Sequence, residues 1–121
     1  MDFKDLKAFK LSFRLAMEIF EISKSFPKEE TYTLTDQIRR SSRSVPAQIA
    51  EAYRKRRYPK HFISKLTDGD AKNAETQVWL GFSLKCKYIN ENKFEELMNL
   101  SNQVGKLLGD MMKNPKKYGS N

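Results

Sequence analysis

The chain has 121 residues, 39% hydrophobic and 31% charged, with only 5 glycines and 4 prolines. That length buries about two thirds of its unfolded surface in one core, and the composition favours long solvated helices, excluding a second domain and a sheet protein. The formal charge is +8, and nine basic residues between Asp36 and Lys65 face only the acids Asp36 and Glu51, so the excess is local.

Met1 to Lys10 mixes acids and bases with no apolar run behind them, so no signal peptide is expected. No apolar stretch approaches the roughly 20 residues of a membrane span, and a cytoplasmic location with no membrane partner is expected. The first periodic segment runs from about Leu6 to Phe26 and stops at Pro27, which disfavours helix in the residue before it. At about 100° per residue, Leu6, Phe9, Phe13, Ala16, Met17 and Phe20 share one face. Leu11, Leu15, Ile19, Ile22 and Phe26 share the opposite one. A helix apolar on two sides needs cover on both. Either neighbouring helices shield it, or the second face meets another subunit. The expected subunit contact comprises Leu11, Leu15 and Ile19, with Trp79 and Phe82 from a second apolar patch that also holds Cys86.

The second helix begins near Thr33 or Thr35, and Leu34, Ile38, Ser41, Val45, Ile49 and Ala52 make its inward stripe. Pro46 removes one helical hydrogen bond, but the stripe keeps its phase across it, so a kinked continuous helix is expected rather than a break. Pro59 suits the first turn of a third helix, whose Phe62, Leu66, Gly69, Asn73, Leu80 and Leu84 lie broadly on one face. Asn90 caps the fourth, with Ile89 and Phe94 set to staple its start, and Phe94, Leu97, Ser101, Val104, Leu108 and Met111 repeat to its end at Asn114 and Pro115. Short connections make an all-α, antiparallel up-and-down four-helix bundle the economical topology. It occupies residues 1–114, with 115–121 as a flexible tail.

Several stretches together resemble one family: Phe3-Lys4-Asp5-Leu6-Lys7, Phe26-Pro27-Lys28-Glu29-Glu30, Asp36-Gln37-Ile38-Arg39-Arg40-Ser41, and Ser44-Val45-Pro46-Ala47-Gln48-Ile49-Ala50-Glu51-Ala52. Arg54-Lys55-Arg56-Arg57-Tyr58 and Glu75-Thr76-Gln77-Val78-Trp79-Leu80 continue the set. The chain resembles the 23S ribosomal RNA intervening-sequence proteins over nearly its whole length. The resemblance implies an up-and-down bundle that assembles as a homopentamer, is encoded in bacteria and sometimes lies within inserts in ribosomal RNA genes. It also implies a fold similar to the basic accessory protein of diversity-generating retroelements, which binds nucleic acid. Lys72, Gly81 and Tyr53 depart from the family pattern, where an acid, an acid and a tryptophan are expected.

Catalytic constellations are missing from the sequence. A di-iron bundle needs paired Glu-x-x-His motifs, yet Arg54 follows Glu51 and Val78 follows Glu75 at that spacing, and His61 is the only histidine. His61 reads as a solvated residue, and the lone Cys86 as a small apolar one. No nucleophile elbow or glycine-rich phosphate loop is present. No enzyme, cofactor, metal or small-molecule substrate is expected, and Glu51 and Glu75 are expected to pair with Arg39 or Arg40.

The basic residues remain. Arg39, Arg43, Arg54 and Arg57 fall within about 60° of one another opposite the inward stripe, in a row about 27 Å long. Guanidinium groups so spaced can bridge phosphates and release counterions, and Tyr53 and Tyr58 can stack on unpaired bases. The expected nucleic-acid surface is Arg39, Arg43, Arg54, Arg57, Tyr58 and Lys60, on an oligomeric scaffold that takes RNA or DNA. The competing readings are a solvated or intersubunit face, an anionic membrane surface, and a protein-interaction scaffold with no nucleic-acid role.

Overall fold

A computed structural model describes residues 1–120, which form four long α-helices and no strand. These are α1 (Lys7–Ser23), α2 (Leu34–Arg54), α3 (Pro59–Lys85) and α4 (Glu91–Lys113), with short 3₁₀ turns at Phe3–Asp5, Lys28–Glu30 and Pro115–Tyr118. Each helix packs on its neighbours in sequence, and α4 closes the circle on α1. Their directions follow from the core. One apolar cluster gathers Ala8 from the start of α1, Ile49 and Ala52 from the end of α2, Phe62 from the start of α3 and Met111 from the end of α4. The other gathers Ile19, Ile38, Leu80 and Leu97 from the opposite ends of the same helices. The bundle is therefore antiparallel and up-and-down, and α1 and α3 point the same way. No helix among the described residues is long and apolar enough to cross a membrane.

Helix ends follow local chemistry. Pro59 occupies the first turn of α3, where a missing amide hydrogen costs nothing. Asn90 accepts the Lys93 amide at 2.8 Å and caps α4. Between them, α3 closes with the Tyr88 amide on the Ser83 carbonyl and the Lys87 amide on the Leu84 carbonyl, a Schellman arrangement that puts Lys87 at φ 63°. At the start of α2, Thr33 stands at the N-cap position as expected, but an acid rather than a threonine does the capping. The Thr33 side chain makes no capping bond; its hydroxyl donates to Glu30, whose carboxylate also accepts the Leu34 amide at 3.2 Å. The Tyr88 hydroxyl reaches the same carboxylate at 2.9 Å and ties the α3–α4 turn to the α1–α2 connection. The Thr33, Tyr88 and Leu34 donors hold the Glu30 carboxyl below its ordinary range, and the bond to Glu30 is the main cause pushing Tyr88 up to about 12. Helix α2 runs through Pro46 without a break, leaving the Ser42 carbonyl without its usual amide partner.

A polar waist separates the two apolar clusters. Asn73 on α3 donates to the Ser101 carbonyl on α4 at 3.0 Å and accepts from the Ser101 hydroxyl at 2.9 Å. Gln77 donates to the Ser101 hydroxyl at 2.9 Å, while Thr76 donates to Ser41 on α2, also at 2.9 Å. Asn73, Thr76, Ser41 and Ser101 are buried, so the bonds among these four form where water cannot substitute.

Of the segment expected to be a flexible tail, 115–121, residues 115–120 are described and fold back on the bundle. Pro115–Tyr118 make a 3₁₀ turn that Asp110 gathers by accepting from the Tyr118 hydroxyl, Lys117 Nζ at 3.0 Å and Asn114 Nδ2 at 2.8 Å. Those donors, Tyr118 first, lower the Asp110 carboxyl to about 2. Burial and the same bond raise Tyr118 to about 12. Gly119 follows at φ 85°, and a Cβ there would come within 3.2 Å of Arg56 Nε, so the backbone lies directly on that guanidinium. Ser120 is buried. Asn121 lies outside the described residues.

Candidate nucleic-acid interface

The predicted arginine row divides into two groups. α2 ends at Arg54, and Arg57 lies in the turn that follows, so counting at helical pitch fails between them. Arg39 and Arg43 sit on the groove between α2 and α1. Arg39 Nε donates to Ser23 Oγ at 2.8 Å, and the guanidinium carbons of Arg39 and Arg43 lie 4.9 and 5.3 Å from the centre of the Phe20 ring. Lys24 Nζ approaches that ring to 4.8 Å. At the end of α2, Arg54 lies 5.8 Å from the Phe3 ring. Lys55, Arg57, Tyr58 and Lys60 are exposed around the turn.

Neutralisation distinguishes a binding surface from an ordinary solvated one. Arg40 pairs with Asp36 at 3.1 Å and Lys65 with Glu51 at 3.4 Å. The other basic residues between positions 36 and 65 have no carboxylate within 4.0 Å among the described residues. Glu75 pairs with Lys72 at 3.3 Å and accepts the Trp79 indole N–H at 3.1 Å. Neither Glu51 nor Glu75 therefore meets Arg39 or Arg40 as expected, because closer lysines hold both. For Arg39, Arg43 and Arg54 an aromatic face takes that place: a ring quadrupole attracts a cation without cancelling its charge, so these three guanidinium groups keep their charge.

Of the two tyrosines expected to stack on bases, only one is placed to do so. Tyr53 is buried in the core, with Arg56 3.9 Å above its ring. Tyr58 is 58% exposed, and its ring centre lies 5.8 Å from that of His61. His61 is solvated. No group of three metal-ligating side chains comes together among the described residues. Cys86 is exposed.

The expected subunit contact is also corrected. Leu15 and Ile19 are buried in this single chain, and Leu11 packs against both core clusters. Part of the other face of α1 turns outward instead, with Phe13 52% and Met17 47% exposed, although Leu6 and Ala16 of that face are buried. Ala8, Ser12, Ala16 and Ser23 decide the orientation: they are buried, and small side chains there let the neighbouring helices approach. Ser12 and Ser23 bond to the carbonyls of Phe9 and Phe20 at 3.1 and 2.9 Å, which removes the cost of burying their hydroxyls. On α3 the expected patch is outward-facing, with Val78 and Phe82 each 53% exposed and Trp79 half-buried beside them. Leu34, Trp79, Phe82 and Cys86 help line a cleft of about 320 Å³ between α2 and α3.

A profile of the family described as 23S rRNA-intervening sequence protein matches residues 4–110, most of the chain and nearly all of the bundle. The chain belongs to this family. Among solved structures, a protein with unknown function from the S23 ribosomal protein family of Bacteroides thetaiotaomicron superposes on this intervening-sequence protein with a TM-score of 0.79. The two are 29% identical, over 88% of this chain and 95% of the other. No curated protein matches the chain. The matched region stops short of the basic tail beyond Asp110.

Proposed function

We propose that this intervening-sequence protein is a non-catalytic, self-associating scaffold that binds nucleic acid, RNA foremost, through the basic surface at the end of α2. The observation that carries the reading is that Arg54, Lys55, Arg57 and Lys60 are exposed and lack carboxylate partners among the described residues. Repelling cations gathered in one place gain most from a polyanion whose condensed counterions they displace. Tyr58 adds a flat surface for an unpaired base. The test is binding of labelled RNA across a salt series. Arg54→Glu/Arg57→Glu/Lys60→Glu is expected to lower the slope of log affinity against log salt by about 2 to 3. Binding by the wild type without salt dependence, or an unchanged slope in the variant, sinks the proposal. Copurification of one stoichiometric acidic protein without nucleic acid would assign the surface to protein contact.

Self-association is supported by two unlike apolar stripes on helices that are not neighbours. Phe13 and Met17 form one on α1, and Val78 and Phe82 form the other on α3. Surfaces that differ in shape and lie on opposite sides of a bundle suit head-to-tail contacts that close into a ring, and the family resemblance sets the expected number at five copies. Each copy then multiplies a weak basic site through avidity. Light scattering at micromolar concentration is expected to give a multiple of the single-chain mass, and Phe13→Glu or Phe82→Glu is expected to return it to one chain. A wild type that scatters as a monomer removes the self-association.

A further inference from the structure

The basic surface does not end with the α2–α3 turn. Two segments distant in sequence are carried to the same end of the bundle. At the N-terminus, Phe3 packs on the apolar cluster of that end, and its ring is shared by Arg54 at 5.8 Å and Lys4 Nζ at 6.0 Å. At the C-terminus, Tyr118 packs on that same cluster, and Gly119 lies against Arg56 within the turn itself. The Asp110 carboxylate holds Lys117, Tyr118 and Asn114 together, which fixes the path of the tail beside the turn. Lys113 and Lys116 are exposed on this folded tail and have no carboxylate within 4.0 Å among the described residues. They line a shallow hollow of about 550 Å³. A second hollow, of about 270 Å³, is lined by Lys55, Lys60 and His61 in the turn.

We infer that the docked C-terminal tail is a second phosphate-contacting arm, in which Lys113 and Lys116 extend the surface of the α2–α3 turn into an end-on platform for a nucleic-acid backbone. The inference rests on the proposed nucleic-acid binding and adds its mode. A strand lies across the end of the bundle rather than along the flank of α2, and its phosphates touch segments from both ends of the chain. Contacts of this kind fix position without reading sequence. The hydrogen bonds of Asp110 matter because a lysine on a free tail loses conformational entropy on binding, whereas one on a folded turn has lost most of it already.

The experiment measures affinity for a labelled single-stranded RNA of mixed sequence over a salt series. Four proteins are compared: the wild type, Lys113→Glu/Lys116→Glu, Lys28→Glu/Lys87→Glu and the triple variant of the α2–α3 turn. Lys28 and Lys87 are exposed near the opposite end, so that variant changes net charge as much as the tail variant does without touching the platform. The tail variant is expected to lower the salt slope by about 1.5, as two lost phosphate contacts should, while the opposite-end variant keeps the wild-type slope. If the turn variant loses binding but the tail variant keeps the wild-type slope, the second arm is overturned and the proposed function stands. The second arm is overturned too if the tail and opposite-end variants fall equally, because net charge alone then explains both. A wild type that binds no RNA overturns both readings.

Discussion

Phe62→Ala is expected to destabilise the fold by about 3–5 kcal/mol, the usual cost of emptying a buried phenylalanine site. Phe62 is fully buried near the start of α3, in a cluster to which α1 contributes Ala8, α2 Ile49 and Ala52, and α4 Val104 and Leu108. All three other helices therefore lose a packing partner at once, and none can close the cavity without moving away from the other two. Against a total of about 5–15 kcal/mol for a domain, this is a large fraction. Urea denaturation at one fixed protein concentration measures it, because the proposed self-association would make apparent stability depend on concentration. Tyr32→Ala, at a side chain 90% exposed, is the control and should stay within about 0.5 kcal/mol of wild type. A loss below about 1 kcal/mol for Phe62→Ala would contradict the packing described.

Asn73→Ala is the second large effect, at about 1–3 kcal/mol. The cost has a different origin. Alanine takes away both the donor to the Ser101 carbonyl and the acceptor of the Ser101 hydroxyl, and leaves those polar atoms between helices where water does not reach. Ser101→Ala alone removes a hydroxyl that both Asn73 and Gln77 contact. Because the two residues share their bonds, their substitutions should not add. A double-mutant cycle is expected to return a coupling of about 0.5–3 kcal/mol, and additivity within error would mean that the waist holds no cooperative network.

Helix number, order and inward stripes were legible because periodicity carries them. Ile38, Val45 and Ile49 on α2 and Leu97, Val104 and Leu108 on α4 alternate with charged residues, so only one face can be buried. On α1 the same reasoning fails because both arcs are apolar, and hydrophobicity cannot rank Leu15 against Phe13. Size decides instead: serine and alanine beside Leu15 and Ile19 permit close approach, and that signal is weak in a reading that scores only polarity. Arg39 escapes helical counting for a related reason, since its partner Ser23 and the Phe20 ring sit on another helix. The folded tail has no periodic signal at all. Its order comes from one carboxylate receiving Tyr118 from 8 positions along the chain and from a left-handed glycine seated on Arg56, which are contacts of tertiary structure.

The concentration of cations at one end of the bundle has a consequence set by symmetry. Rotation about a single axis never reverses direction along that axis. Copies joined head-to-tail through α1 and α3 in a cyclic ring whose axis runs along the bundles therefore all present their basic ends on the same side, whereas a dimer about a two-fold axis across the bundles would place them on opposite sides. The ring would be a disc with a charged face and an ordinary one, and a long polyanion would lie on it as on a plate rather than thread through it.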